Sequence, residues 1–345
     1  MYKRNMSPHV AVFSNIPKLT TCLKNAMPNI HFREVTPGCA VLNKQFSSPG
    51  EVSDDSLKVL QESEIIIGDF NIMAPVLDQL PNVKWLQGTW AGADTIFKTY
   101  DHNKPRLPYV ITRFSGSFFG NQMSEYVVAH IVNRERCFFS FYDSQKAHKW
   151  EKNDLFPFRR SIQDLTIGIL GTGVIGKSIA KVLKTLHATV WGLGRTPLPE
   201  GEKLPNIDEY RLVSKLPELL QNCDYVINVL PDTKETTGLL SGDILHHCAH
   251  KQSVLINIGR GNVYSEEDLL KALKEGWLSG AILDVFSVEP LPANSPLWDM
   301  KQVTISPHIA GITRPQDVAK VFKENYERFK AGKPLLHVLD LEKGY

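Results

Sequence analysis

The chain has 345 residues, enough for about two domains, and its 42% hydrophobic and 22% charged residues are typical of an ordinary folded protein. These values exclude a small disulfide-stabilised scaffold and a disordered chain. With 39 basic and 37 acidic residues, the net charge of +2 provides no general basic surface, so no nucleic-acid partner is expected.

The cysteine pattern and the hydropathy bear on the compartment. There is no C-x-x-C pair, and no apolar run approaches the roughly 18 residues that a membrane-spanning helix needs. We therefore expect a cytoplasmic protein with no membrane partner and with reduced thiols at its five cysteines, Cys22, Cys39, Cys137, Cys223 and Cys248.

Strands and helices alternate from the start of the chain. The first series has predicted strands at HVAVFSN, HFREV, EIIIGD, WLQGTWAG and YVITRF, and predicted helices at LTTCLKNAM and APVLDQL. Alternation of this kind is typical of parallel βαβ units.

A long apolar and aromatic segment without glycine or proline, residues 121–149, predicts a single helix that leads to a second alternating series. That series has predicted strands at TIGIL, TVWGL, YVINVL, VLINIG, AILDVF and VTISP, and predicted helices at KSIAKVLKTL, KLPELLQ and SEEDLLKALKEG. A last helix follows Gly311, with Pro315 in its first turn and Gly332 at its C-terminal cap.

A glycine-rich turn follows the strand TIGIL and precedes a helix. Its pattern is G-x-G-x-x-G, formed by Gly171, Gly173 and Gly176, with Val174 and Ile175 before the last glycine. The first glycine suits a tight turn, the second lets a pyrophosphate approach the backbone, and the third allows close packing of helix on strand. The free N–H groups of the helix N-terminus then favour an anion, so the loop predicts a dinucleotide site.

The end of the next strand, TVWGL, bears on cofactor preference. NAD-binding proteins usually carry Asp or Glu there to hold the ribose 2′-OH, whereas this chain continues Gly194-Arg195-Thr196. No carboxylate would repel a 2′-phosphate, and Arg195 can pair with one. The sequence predicts NADP(H) as the preferred cofactor, with NAD(H) possible.

Three titratable residues follow successive predicted strands, where an open parallel sheet binds its ligands. They are Arg260, Glu289 and His308. Arg260 can orient a substrate carboxylate and carbonyl, and His308 can donate a proton to the oxygen as hydride reaches the carbon. Glu289, paired with His308, would favour the imidazolium. The set predicts carbonyl reduction.

The motifs GTGVIG, LINIGRG, LDVFSVEP and SPHIAG occur in this order. In order and spacing they resemble the D-isomer-specific 2-hydroxyacid dehydrogenases, over nearly the whole chain. The resemblance implies an α/β fold with two Rossmann-like or flavodoxin-like parallel-sheet domains separated by an active-site cleft. Residues 1–120 and 315–345 would form the substrate-binding domain, and residues 121–314 the dinucleotide-binding domain, through which a homodimer would form.

The resemblance also implies roles for individual residues. Arg260, Glu289 and His308 would be the catalytic set, Asp284 would hold the nicotinamide carboxamide, and Trp90 would line the substrate pocket unless it is a core residue. The backbone of Ala91, Gly92 and Ala93 would bind the substrate carboxylate. The remaining residues expected at the cofactor are Met123, Leu230, Pro231, Thr236, Ile258 and Gly311, with Arg195, Thr196 and His308.

Within this family, the strand ending Gly194-Arg195-Thr196 is most similar to the glyoxylate and hydroxypyruvate reductase branch, which favours NADPH. Glutamine replaces glutamate as the partner of the histidine in formate dehydrogenases, so Glu289 disfavours that branch. A small 2-keto acid is therefore the expected substrate. The alternative is a corepressor-like protein of the same fold that senses NAD(P), although the chain lacks the long disordered flanks expected of one.

A short cluster of histidines is the one other group with metal-ligand spacing. His246 and His250 stand at i and i+4, which would place both rings on one helical face. No carboxylate or second cysteine completes a ligand set nearby, so we expect a surface loop and no metal.

Overall fold

The computed structural model describes residues 9–36, 52–101, 106–150 and 159–342. The chain forms two compact units. The described residues up to Gly116, together with those from Thr313 onward, make up unit 1, and Ser117–Ile312 make up unit 2. The chain therefore leaves unit 1, builds unit 2 and returns.

Unit 1 is built on a five-stranded sheet with the order β2-β1-β3-β4-β5, in which all neighbouring strands run parallel. This is the flavodoxin-like order. The strands are β1 (Val10–Phe13), β2 (Phe32–Glu34), β3 (Ile65–Gly68), β4 (Trp85–Gly88) and β5 (Val110–Thr112). The helices before β5 are α1 (Leu19–Ala26), α2 (Asp54–Gln61), α3 (Phe70–Met73) and α4 (Asp94–Thr99). The helix predicted at APVLDQL is a 3-10 turn, Ala74–Gln79, with proline at its start.

The core of unit 1 is built around strands that are apolar along their whole length. Both β1 and β3 are buried along their whole length, as expected of strands covered by helices on both faces. The last helix of the chain, α10 (Pro315–Lys330), packs here. Its Phe322 ring stacks on Trp85 with centroids 5.0 Å apart and an interplanar angle of 8°. As predicted, α10 begins with Pro315 and is followed by Gly332 at φ 63°.

Unit 2 contains a seven-stranded parallel sheet with the order β12-β11-β10-β9-β6-β7-β8. This is the doubly wound dinucleotide-binding order with one strand added, so the predicted class of two parallel α/β sheets is confirmed. The strands are β6 (Thr166–Leu170), β7 (Thr189–Gly194), β8 (Glu209–Leu212), β9 (Tyr225–Asn228), β10 (Ser253–Asn257), β11 (Leu278–Leu283) and β12 (Val303–Ile305). The prediction missed β8, an edge strand.

The helices of unit 2 differ from the prediction in one place. They are α5 (Ser117–Arg136), α6 (Phe138–Lys146), α7 (Val174–Thr185), α8 (Leu216–Asn222) and α9 (Glu266–Lys274). The single helix expected over residues 121–149 is wrong, because α5 ends where Cys137 adopts a left-handed conformation with φ 53°. The Cys137 N–H donates to the Arg134 carbonyl three residues back, which closes a tight turn before α6 begins at Phe138.

The cysteines and helices also bear on the predicted compartment. Cys39 lies outside the described residues. The other four cysteines carry free thiols, namely Cys22, Cys137, Cys223 and Cys248. Burial raises the pKa of the Cys248 thiol to about 12, so this thiol stays protonated at neutral pH. Within the described ranges, no helix combines the length and apolar character needed to cross a membrane.

Candidate active site

The glycine-rich turn joins β6 to α7 in the predicted strand–turn–helix context. Gly171 has φ 106°, a conformation that favours glycine. A Cβ on Gly176 would lie 2.0 Å from the Gly171 carbonyl oxygen, so helix and turn touch there. A Cβ on Gly173 would meet nothing within 4 Å, and Val174, the first residue of α7, is 43% exposed. The turn is therefore an open cradle beside free helix N–H groups, and it fits a pyrophosphate.

The residues expected on the adenosine side lie on two adjacent loops. Arg195 and Thr196 are exposed directly after β7. On the second loop, the buried Thr236 hydroxyl donates to the Pro231 carbonyl at 2.6 Å and closes the turn that begins after Leu230. Hydrogen bonds from its own backbone and from Thr233, with the charge of Arg195, lower the pKa of Glu235.

Two buried asparagines that the sequence analysis missed shape the strand ends. Asn228 and Asn257 are the last residues of the neighbouring strands β9 and β10. The Asn228 amide donates to Asn257 Oδ1 at 2.9 Å, and the Asn257 amide donates to the Arg260 carbonyl at 3.1 Å. The two strands end in VIN and LIN, and this repeated ending is the feature of the sequence that could have revealed the pair. These bonds hold the turn that carries Arg260.

Arg260 follows β10 as predicted. The preceding Ile258 is buried, and its N–H donates to the Asn228 carbonyl at 3.1 Å. The Arg260 side chain is half-buried, and its Nη1 donates to the Gly259 carbonyl at 2.7 Å. A planar guanidinium presents its N–H groups as a fork that matches a carboxylate or a carbonyl.

Glu289 and His308, which lie 19 residues apart in the chain, meet as a pair. His308 Nδ1 lies 2.9 Å from Glu289 Oε2, and Glu289 Oε1 accepts the Phe286 N–H at 2.9 Å. Burial would raise the Glu289 pKa, but the bonds from His308 and Phe286 and the charges of His308 and Arg260 bring it below its ordinary value. Because an ionised carboxylate only accepts hydrogen bonds, the proton of this bond belongs to Nδ1 of His308.

The backbone at His308 is held by Asp284 in the left-handed region, at φ 56°. The His308 N–H donates to the Asp284 carbonyl at 2.9 Å. The buried Asp284 carboxylate accepts the Ile309 N–H and the Ala310 N–H, each at 2.8 Å. Asp284 thus fixes the turn of the histidine, while its expected contact with a nicotinamide carboxamide stays a prediction.

Helix α5 extends this network through residues that the sequence analysis did not single out. The Ser306 hydroxyl donates to Asp284 Oδ1 at 2.5 Å, so its oxygen accepts from the Tyr126 hydroxyl at 2.6 Å. The Tyr126 ring packs on His130, with centroids 4.3 Å apart. Burial lowers the His130 pKa, although the charge of Asp284 opposes this shift. A chain of bonded side chains therefore links α5 to the histidine turn.

Met123 and Gly311 come together beneath the same turn. Met123 is 4% exposed, and a Cβ on Gly311 would lie 2.8 Å from its Sδ atom and 2.5 Å from the Phe119 ring. The two residues therefore pack against each other, and their expected contacts with the cofactor remain predictions.

In unit 1, the segment from Trp90 to Ala93 joins β4 to α4. Trp90 is half-buried and packs against the core of unit 1, as expected if it is a core residue. Its carbonyl accepts the Phe114 N–H at 3.0 Å. Ala91 and Gly92 are half-buried, and Ala93 is buried at the start of α4. The segment is thus anchored at both ends.

A buried carboxylate, also missed from the sequence, organises the strand ends next to this segment. Asp69 follows β3 and accepts the hydroxyls of Ser14 and Thr89, each at 2.6 Å. It also accepts the Asn15 N–H at 2.7 Å. Burial raises the Asp69 pKa, and these three hydrogen bonds oppose the shift. Asp69 thereby ties together the ends of β1, β3 and β4, just before Trp90.

The histidine cluster has ordinary packing partners. The His246 ring lies edge-on to Trp277 at 5.1 Å, and His247 Nδ1 lies 3.1 Å from the Gln221 amide nitrogen. Across the described part of the chain, no group of three or more His, Cys, Asp or Glu side chains is placed to hold a metal ion.

Comparisons with known proteins bear on the geometry of unit 2. Residues 128–310 match the family model described as the NAD binding domain of D-isomer specific 2-hydroxyacid dehydrogenases. Glyoxylate/hydroxypyruvate reductase A of Klebsiella pneumoniae is 34% identical over 277 residues, which is 77% of this chain and 85% of that protein.

Two solved structures are similar over most of the chain. A D-isomer specific 2-hydroxyacid dehydrogenase from Xanthobacter autotrophicus, in complex with NADPH and MES, has a TM-score of 0.81 and 28% identity, over 99% of this chain and 100% of that one. The NADPH-dependent glyoxylate/hydroxypyruvate reductase of Sinorhizobium meliloti, with NADP and sulfate, has a TM-score of 0.77 and 25% identity, over 98% and 100% of the two chains. These matches agree with the arginine, glutamate and histidine that follow the strands of unit 2. The chain belongs to the D-isomer-specific 2-hydroxyacid dehydrogenase family.

Proposed function

We propose that this protein reduces a small 2-keto acid, glyoxylate or hydroxypyruvate, to its 2-hydroxy acid, with NADPH preferred over NADH. Hydroxypyruvate would give the D-isomer of its product. The observation that carries the proposal is the hydrogen bond of 2.9 Å between His308 Nδ1 and Glu289, two residues that follow the strands next to the one that precedes Arg260.

Each member of the set has one task in the reaction. Arg260 orients the carboxylate and carbonyl oxygen of the substrate and stabilises the negative charge that develops on that oxygen. His308 donates the proton that completes the hydroxyl group. Glu289 keeps the imidazole oriented through Nδ1, so the proton leaves from Nε2. The Ala91–Ala93 backbone is assigned to the substrate carboxylate.

The cofactor preference rests on the residues after β7 and β6. NADPH supplies the hydride when bound. Gly173 leaves the pyrophosphate room beside α7, and Arg195 and Thr196 are exposed where a 2′-phosphate is expected, with no carboxylate at Gly194 to repel it. The similar Xanthobacter and Sinorhizobium structures contain NADPH and NADP, respectively, which supports the same preference here.

Steady-state kinetics with a panel of 2-keto acids test the proposal. We expect turnover of glyoxylate or hydroxypyruvate, with kcat/KM at least about tenfold higher for NADPH than for NADH, as a net gain of about 1.4 kcal/mol from the 2′-phosphate would give. Arg195→Ala should remove most of that ratio and leave kcat/KM with NADH unchanged. Equal or better use of NADH by the wild type would contradict the preference. Tight cofactor binding without turnover of any keto acid would instead favour a sensing protein.

We also propose that the protein forms a homodimer through α5 and α6. Three aromatic residues of α6 are exposed to an unusual extent, Phe138 (52%), Phe139 (58%) and Tyr142 (53%). Together with Ala129 and His130 of α5 they line a groove. Aromatic residues are enriched at the centres of interfaces, and a second copy would bury the same patch by symmetry.

Analytical ultracentrifugation at micromolar concentration tests the dimer. The wild type should sediment at twice the chain mass, and Phe139→Asp should shift the equilibrium toward monomer by at least about tenfold in Kd. Val338→Asp is the matched control, since it places the same charge on a 48% exposed apolar residue of unit 1. A monomeric wild type would show the proposal to be wrong.

A further inference from the structure

A tyrosine on the strand missed by the sequence analysis fills the space at the end of β7. Gly194 is the last residue of β7, and Tyr210 lies on the neighbouring strand β8. A Cβ on Gly194 would fall 1.9 Å from Tyr210 Oη and 2.7 Å from its Cζ atom. Any side chain at position 194 must therefore displace the phenol group.

The same phenol group holds the turn that follows. The Tyr210 hydroxyl donates to the Thr196 carbonyl at 2.8 Å. Arg195 and Thr196 are both exposed, so this bond ties an exposed turn to the sheet.

Strand β8 provides a firm base for this bond. The Tyr210 ring packs against the apolar cluster of unit 2, and its carbonyl accepts from Arg211 Nη1 at 3.1 Å. The Arg211 guanidinium lies over the Trp191 ring, 4.6 Å from its centroid, and forms ion pairs of 2.9 Å with Glu209 and Glu218. Tyr210 is thus held by the packing of its ring and by the bond from Arg211 to its carbonyl.

We propose that Tyr210 is a positioning residue that determines cofactor specificity. It occupies the volume in which a carboxylate for the ribose 2′-OH would stand, and its hydroxyl fixes the backbone from which Arg195 and Thr196 reach a 2′-phosphate. The inference rests on the proposed preference for NADP(H). In this proposal, the preference for NADP(H) over NAD(H) has two causes: the space that Tyr210 fills and the charge of Arg195.

Isothermal titration with nucleotide fragments tests the inference without any turnover. The wild type should bind 2′,5′-ADP more tightly than 5′-ADP. Tyr210→Phe keeps the ring and loses the hydrogen bond, so the Kd for 2′,5′-ADP should rise about five- to tenfold while the Kd for 5′-ADP stays within about twofold.

A second variant reaches the same bond from the other side. Gly194→Ala should push the phenol group away from Thr196 and raise the Kd for 2′,5′-ADP by a similar factor. Since both changes remove one bond, the double variant should show about the effect of one substitution and not their product. Tyr225→Phe is the matched control, because its hydroxyl donates to Glu135 at 2.7 Å from the first residue of β9. It should leave both Kd values unchanged.

The outcomes separate the two proposals. An unchanged Kd for 2′,5′-ADP in Tyr210→Phe, or an equal loss for both nucleotides, would overturn the role of Tyr210 and leave the NADP(H) preference standing. Multiplied effects in the double variant would also overturn it. A wild type that does not distinguish the two nucleotides would overturn the preference and the inference together.

Discussion

Replacing His308 with asparagine is expected to lower kcat for 2-keto acid reduction by about 10²–10⁴-fold, the usual contribution of a positioned general acid. Asparagine cannot supply the proton, but it tolerates the left-handed backbone, in which His308 lies at φ 56°. The fold should therefore survive. Steady-state kinetics with NADPH measure the loss, and an unchanged Tm shows that it is chemical.

A second histidine offers a matched control for this substitution. His187 is exposed after α7 with φ 64°, so His187→Asn makes the same chemical change in the same backbone conformation. It should keep wild-type kcat. Glu289→Gln as a single substitution should also lower kcat. Combined with His308→Asn it should add little to the loss, because paired residues act as a unit. Wild-type turnover by His308→Asn would show that another group donates the proton.

Gly176→Ala should lower the free energy of unfolding by about 2–3 kcal/mol, because the new methyl group collides with backbone. Its Cβ would lie 2.0 Å from the Gly171 carbonyl oxygen, an atom that cannot rotate away. The gain in helix propensity from glycine to alanine is only about 1 kcal/mol and is included in that figure. Urea unfolding measures the loss.

Gly173→Ala provides the contrast three residues earlier. Its Cβ would meet nothing within 4 Å, and its φ of −76° suits any residue, so the free energy of unfolding should not fall. The methyl group would nevertheless stand where the pyrophosphate approaches, and the Kd for NADPH should rise at least about tenfold. Full affinity for NADPH in Gly173→Ala would contradict the assignment of the cradle.

Most strands of both sheets could be predicted from the sequence because they are short apolar runs bounded by glycine, proline or asparagine, as in EIIIGD. The strand that could not be predicted is β8 (Glu209–Leu212), which lies at the sheet edge and in which charged residues occupy every second position. The break at Cys137 carried no local signal either, since neither glycine nor proline marks it. Strand β8 is defined by its pairing with β7 and not by a pattern of its own.

The residues of the active site likewise divide into those that a local sequence pattern reveals and those that it does not. Arg260, Glu289 and His308 could be predicted because each stands in the loop that follows a strand, and the pairing of the last two is present. The bond between Tyr126 and Ser306 joins residues 180 positions apart, and no pattern in either segment announces it. Chemistry at strand ends is therefore legible in the sequence, whereas the hydrogen bonds that orient it depend on the tertiary fold.

The return of the chain to unit 1 sets an order for folding during synthesis. Residues 117–312 leave the ribosome with their whole sheet, whereas the first sheet emerges without α10. Until Phe322 and Asn325 are made, the Trp85 ring lacks its stacking partner and the buried Gln87 lacks the Asn325 amide that lies 3.3 Å from its Oε1. The segment translated first is thus the last to be completed, and its apolar strands need protection from aggregation for nearly the whole time of translation.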